Sequence, residues 1–226
     1  MIVEPMMGSG GAIPADRDFL VQLRKIATAA GAVLIYDEVM TSRVYSGGGV
    51  QSGLPPGYRP DMTTLGKYTG GGMSFGAFGG KREIMELFDP REPGGLAHER
   101  TFNNNVLTMA AGSAGLEQIF APARAEALHR TGEQLRERLN EAGNGTLLKV
   151  TGLGSVIPTE QVKAVSDMPE VDLRLTTLLH FFLLSKGYYI ARRGFPVLSP
   201  VLTDSDLDGF VQAVKSFVIE YGPFRD

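Results

Sequence analysis

Residues 16–39 read DRDFLVQLRKIATAAGAVLIYDEV. Apolar side chains at 19, 20, 23, 26 and 27 recur at helical spacing, so Asp16 to Ala30 is predicted to be an amphipathic helix. Gly31 stands where a glycine closes a helix in the left-handed conformation. The next run, AVLIYDEV, is continuously apolar and then ends in two carboxylates. Unbroken apolarity is what a parallel strand covered on both faces requires. Helix, glycine and buried strand make half of a βαβ unit, which sets the class as α/β.

The neighbouring segments extend that reading. MIVEP opens the chain as a strand-like piece that reaches a turn within five residues. After a Gly/Pro-rich loop over roughly 46–60, DMTTLGK and FGAFGG are short predicted strands, and Arg82 to Phe88 a short helix. Asn103 to Phe120 is expected to be a helix with asparagine at its N-cap, and Pro122 to Ala142 a second one with proline in its first turn. Composition changes near Gly143. The order after it is a strand over 147–157, a helix over about 170–186, short strands at YYIA and VLSPVL, and a last helix capped by Thr203 or Asp204. Two domains follow: 1–143, a mostly parallel sheet with helices, and 144–226, a small α+β domain.

The totals bound the function classes. The chain has 226 residues, 43% hydrophobic and 21% charged, with a net charge of -3, so bulk charge draws it to neither nucleic acid nor an anionic membrane. It has no cysteine, and its three histidines lie far apart without metal-ligand spacing, so no metal is expected. No apolar run is long enough to span a bilayer and no secretory signal is visible, so the default location is cytoplasmic.

Two motifs carry chemistry. An apolar strand ending in Asp37-Glu38 is, by itself, most simply an acid capping a loop. A P-loop ATPase reading needs a glycine-rich loop ending in Gly-Lys-Ser/Thr. Here Gly66-Lys67 is followed by Tyr68, and Asp61 occupies the place of the first glycine, so that reading fails. TGLGSVI stops one glycine short of a dinucleotide fingerprint. The remaining reading joins Asp37 to Lys67, which ends a strand and is followed by Tyr68, Thr69 and three glycines. An amine and an acid at the carboxyl ends of neighbouring strands suit pyridoxal 5'-phosphate (PLP): the lysine for the Schiff base, the acid to keep the ring nitrogen protonated. The acid is expected in a dry place, where its attraction for the ring is least screened.

VEPMMGSGG, LIYDEVMTSR, DMTTLGKYTGGGMSFGAFGG and HERTFNNNVLTMAAG, in that order, resemble the class III, fold-type I PLP-dependent aminotransferases. The similarity is closest to the branch of glutamate-1-semialdehyde aminomutase and the β-amino-acid aminotransferases, with the latter favoured by DEVMTSR and the later RGF-VLS. The resemblance implies that Lys67 is the Schiff-base lysine, Asp37 the ring-nitrogen acid, and Val39 a residue packed on one ring face. It implies that Thr101 contacts cofactor phosphate from the neighbouring subunit and that Arg193 lies near the substrate carboxylate. As bare residues Val39 reads as core, Thr101 as a helix cap, and Arg192-Arg193 as a solvated pair. Arg43 and Glu4 match fixed positions to which architectural roles are given. The family comparison further implies a homodimer, a small-molecule amino donor and a keto-acid acceptor, and no nucleic-acid or membrane partner.

Departures from the family pattern are equally specific. The sequence resembles only the C-terminal half of such enzymes; the phosphate loop and the stacking aromatic of the N-terminal half are not matched, and open sheet edges are expected. Arg100 replaces a glycine, segment 156–169 is short, and Pro158 interrupts a predicted strand. The function expected from all this is transamination of an amine or β-amino acid, incomplete at the N-terminus. The alternatives are a 1,2-aminomutase, or a non-catalytic truncated paralogue that dimerises with a full-length relative.

Overall fold

The computed structural model describes residues 1–99, 101, 103–146, 148–154 and 173–221. They form two compact units: Met1–Met6 with Ala15–Ala125, and Met7–Pro14 with Glu126–Asp226. The sequence-based boundary at 143/144 lies eighteen residues beyond Ala125, where the first unit ends, just after the helix Pro122–Ala142.

In the first unit, β1 (Ile2–Val3), β4 (Ile35–Asp37), β5 (Met62–Gly66) and β6 (Gly76–Gly80) form one sheet in that order. A two-stranded ribbon pairs β2 (Met6–Met7) with β3 (Ile13–Pro14). β1, β4 and β5 run parallel and β6 turns back antiparallel. The register sets Asp37 opposite Thr64, and Thr64 opposite Phe78.

Helix α1 (Arg17–Ala29) starts where predicted: the Asp16 carboxylate accepts from the Asp18 N–H at 2.7 Å. Gly31 follows at φ +61. α1 buries Leu20 and Ala27 against Leu34, Tyr36 and Leu54. Phe19 and Ile26, included in the predicted apolar stripe, point to solvent instead, because the contact with the sheet takes only the flank centred on Leu20, Leu23 and Ala27. Arg24 on that buried flank pairs with Asp61 at 2.7 Å. Asp61 also holds the Leu34 N–H and Lys81 Nζ, each at 2.7 Å, so one carboxylate ties α1 to the starts of β4 and β5 and the end of β6.

The β4 run is shorter and less sealed than its apolarity suggests. Leu34 and Tyr36 are wholly buried, while Ile35 and Asp37 on the other face are half-buried and Val33 is exposed. Ile2 in edge strand β1 is 63% exposed. Among the described residues this face and this edge have little cover.

β6 is followed by α2 (Arg82–Met85) and one tighter turn to Phe88. α3 (Val106–Ala114) continues as a wider turn over Gly115–Ile119. Its N-cap is Asn105, whose side-chain oxygen accepts from the N–H groups of Leu107 and Thr108 at 3.1 and 3.2 Å.

The second unit is built on α4 (Pro122–Ala142), α5 (Leu173–Ser185) and α6 (Asp204–Tyr221). Leu139, Leu179, Leu183, Phe210 and Val214 converge on its core with Leu148 and Val150. Thr203 and Asp206 cap α6 reciprocally: the Thr203 N–H donates to the Asp206 carboxylate at 2.8 Å, and the Asp206 N–H to the Thr203 hydroxyl at 3.2 Å. The predicted strands YYIA and VLSPVL are not formed. The bridge from Ala191 to Phe195 closes a tight turn in which Gly194 takes φ +73, Val197 takes part in no more than an isolated bridge, and Pro196 and Pro200 cannot donate to a ladder. No regular strand spans 148–154. The rest of the strand predicted over 147–157, the first residues of the helix predicted over 170–186, Arg100, Pro158 and segment 156–169 lie outside the described residues.

Candidate active site

β4 and β5 are parallel neighbours, and each ends in a functional side chain at the carboxyl end of the sheet. Asp37 is the last residue of β4, and Lys67 follows the last residue of β5 directly. Ligands of open α/β sheets sit at such ends. The Asp37 carboxylate accepts the Val39 N–H at 3.0 Å, which folds the chain back and brings Val39 against Gly66. A Cβ on Gly66 would stand 3.3 Å from Val39 Cγ1 and 3.3 Å from the Phe75 carbonyl oxygen, so only glycine leaves this contact unstrained.

Lys67 is exposed and its amine has no ion pair or hydrogen bond among the described residues. Its backbone is left-handed, φ +54, a region that non-glycine residues rarely occupy. The turn it opens (Lys67–Gly70) is closed by the Thr69 hydroxyl on the Gly66 carbonyl at 2.8 Å and by Gly71 at φ +60.

The glycines after Lys67 have a steric cause. A Cβ on Gly71 would lie 2.2 Å from the Ala111 carbonyl oxygen, and one on Gly112 would lie 2.5 Å from the Thr69 carbonyl oxygen. The lysine turn and α3 therefore touch backbone to backbone. A Cβ on Gly70 would meet Phe75 at 2.5 Å.

The donor set fits PLP. An amine without a partner among the described residues and a half-buried acid close adjacent strands, and the Thr64 hydroxyl, abreast of Asp37, is buried and also finds no partner among them. Asp37 is not in the dry setting expected of it: its face of the sheet is half-open. The sealed acid is its neighbour. Glu38 is wholly buried and accepts from the Thr41 hydroxyl and from the N–H groups of Val50 (3.0 Å) and Gln51 (2.9 Å). Burial pushes its carboxyl above the ordinary value, against the pull of those donors. Residue types alone could not separate the two acids, because the donors come from a loop twelve residues later.

Arg43 is half-buried, and burial holds it below its ordinary value while the nearby Tyr68 opposes that shift. Tyr68, raised by burial, donates to the Ser42 carbonyl at 3.2 Å and packs on Phe120 at 4.8 Å between ring centroids. Thr101 is exposed in the first unit and is not the α3 cap, a place taken by Asn105. Glu4 is exposed. Arg193 belongs to the second unit, exposed, with its guanidinium 5.1 Å from the Phe195 ring centre. Arg192 donates to the Thr177 hydroxyl at 3.1 Å. A depression of about 790 Å³ lies beside β6, walled by Phe78, Phe88, His98 and Asn103–Asn105. It includes neither Asp37 nor Lys67.

The sequence matches the class-III aminotransferase family over residues 1–206. The chain belongs to that family. It is 51% identical to the β-phenylalanine transaminase of Variovorax paradoxus, over 98% of this chain and 52% of the relative. A crystal structure of a β-phenylalanine aminotransferase from the same organism superposes with a TM-score of 0.92 at 51% identity, again over 98% of this chain and 52% of the other. An ω-transaminase from Sphaerobacter thermophilus gives 0.85 at 34% identity, over 95% and 50%. A glutamate-1-semialdehyde 2,1-aminomutase of Ignicoccus hospitalis is 37% identical over 84% of this chain and 45% of its own length. The chain spans about half the length of the curated relatives it matches. The α/β fold is thus that of the aminotransferases, with a mostly parallel sheet flanked by helices.

Proposed function

We propose that the chain carries the C-terminal half of a PLP-dependent aminotransferase, which moves an amino group from an amine or β-amino acid to a keto acid. The observation that carries this is the free lysine amine and the acid at the carboxyl ends of two adjacent parallel strands. When bound, PLP supplies the electron sink for carbanion chemistry. Asp37 holds the proton at the ring nitrogen. Lys67 would hold the cofactor at its carbonyl carbon and would move a proton at the substrate carbon. Val39 would pack on one ring face, Thr101 would contact the cofactor phosphate held by a neighbouring subunit, and Arg193 would bind the substrate carboxylate.

We assign 1–143 to the cofactor-binding large domain and 144–226 to the small domain. The working form is a homodimer, or a heterodimer with a full-length relative, in the cytoplasm. No described helix is long and apolar enough to cross a membrane.

The test is addition of PLP to the purified protein. We expect an absorbance band of lysine-bound cofactor that Lys67→Ala abolishes, and amino transfer from a β-amino acid to an added keto acid. No band in the wild type, alone or mixed with a full-length relative, overturns the reading. The aminomutase alternative rests on the 37% identity to an aminomutase, against 51% to the transaminase. Turnover without any added acceptor would favour it. Co-elution with a full-length relative, without a band of its own, would mark the chain as a non-catalytic partner.

A further inference from the structure

We propose that Glu38 is a positioning residue that holds Asp37 in place by pinning the glycine-rich loop 49–51 to the opposite face of β4. The proposal deepens the cofactor reading of Asp37 and rests on it for its functional meaning.

Asp37 and Glu38 are consecutive, and the Glu38 N–H still donates to the Thr64 carbonyl at 3.1 Å, as a strand residue would. Strand alternation then sends the two carboxylates to opposite faces. On its face Glu38 is fully enclosed and gathers three donors: the Thr41 hydroxyl and the N–H groups of Val50 and Gln51. Gly49 makes the enclosure possible. It sits at φ +72, and a Cβ there would stand 2.5 Å from a Glu38 carboxylate oxygen. The loop is fixed at a second point, since the Gln51 side-chain amide donates to the Thr63 hydroxyl at 3.0 Å. A closed frame results: end of β4, Glu38, loop 49–51, Gln51, Thr63, β5.

Asp37 depends on this frame. Its carboxylate is oriented by the Val39 N–H at 3.0 Å, and Val39 belongs to the tight turn that Glu38 and Thr41 close from the other side. The Glu38 carbonyl also accepts the Ser42 N–H at 2.8 Å. Releasing the Glu38 carboxylate therefore frees the loop and, through the 38–42 turn, the amide that aims Asp37. A buried carboxylate is costly unless its bonds are all made, so an isosteric change should be felt.

The test uses amide hydrogen exchange on the full chain, wild type against Glu38→Ala and Glu38→Gln. Exchange at Val50 and Gln51 reports the loop, and exchange at Val39 reports the Asp37 bond. In Glu38→Ala we expect all three amides to accelerate by about tenfold or more, as for loss of one buried hydrogen bond. Glu38→Gln, which keeps one acceptor oxygen, should fall between the two. If Val39 stays within about twofold of wild type in the folded variants, whatever Val50 and Gln51 do, Glu38 is only a loop clip and the proposal fails. Should Glu38→Ala not fold, Glu38→Gln decides by the same comparison. PLP titration adds a second readout: lysine-bound absorbance should need about tenfold more cofactor in Glu38→Ala, with Glu38→Gln intermediate. Absence of the band in the wild type would count against the cofactor reading, and the Val39 result would still decide whether Glu38 holds Asp37.

Discussion

Lys67 occupies a backbone region that costs an L-residue about 1–2 kcal/mol, and its neighbours enforce it through the Thr69 hydroxyl and the Gly71 turn. Strain at one residue can be relieved by the one side chain that feels none. Lys67→Gly is therefore expected to match or exceed wild-type stability, by up to about 1 kcal/mol, whereas Lys67→Ala keeps the strain and gains nothing. Thermal melts of the two variants check this, and both should lose lysine-bound cofactor. The placement of Asp37 and Lys67 at the ends of neighbouring parallel strands was legible from the apolar runs that lead into them. The exposure of Asp37 and the sealing of Glu38 were not. Those depend on which face the 49–51 loop covers, a long-range fact that a local apolar run does not encode.

At the scale of elements, the lysine turn is set by its contact with α3, and the two glycines of that helix differ in kind. Gly112 has no room for a methyl group beside the Thr69 carbonyl, whereas a Cβ on Gly115 would come no closer than 3.6 Å to Gly71 Cα. Gly112→Ala should destabilise by about 2 kcal/mol through overpacking. Gly115→Ala should be neutral or stabilise by up to about 1 kcal/mol, as expected of alanine over glycine in a helix. Chemical denaturation of both variants distinguishes them.

Asp61 joins four elements, and its carboxyl is lowered from 3.8 to about 2. Burial opposes that shift, but bonds from the Leu34 N–H, Lys81 and Arg24, with the charge of Arg24, outweigh it. Because the folded value is depressed, this stability is fully present above about pH 4 and is lost as pH falls toward 2. The shift corresponds to about 2 kcal/mol. Asp61→Asn should flatten that part of the stability–pH curve and lower stability at neutral pH by about 3 kcal/mol, because Arg24 is left buried without its partner. Helix positions such as α4 and α6 were readable because periodicity, caps and proline placement agree. The strands expected after Gly187 do not form because Gly194, Pro196 and Pro200 interrupt pairing, which an apolar run alone does not reveal.

At the scale of the whole molecule, α3 and its continuation present one cluster of exposed apolar side chains. Val106 is 78% exposed and Leu107 67%, with Leu116 and Ile119 also exposed on the following turn. Side chains of this kind on a helix that touches the lysine turn are costly to leave in water, at about 25 cal/mol per Å² of apolar surface. The open edge at β1 adds unpaired backbone groups. Both features favour association. Sedimentation should therefore show species heavier than the 24.3 kDa single chain, increasing with concentration. Val106→Glu with Leu107→Glu should shift the distribution toward 24.3 kDa without lowering the unfolding midpoint, since neither side chain contributes to the core. If the double variant assembles as the wild type does, association runs through another surface. The β1 edge is then the one to block, with Ile2→Lys as the substitution, because a charge on an exposed edge strand opposes further strand pairing.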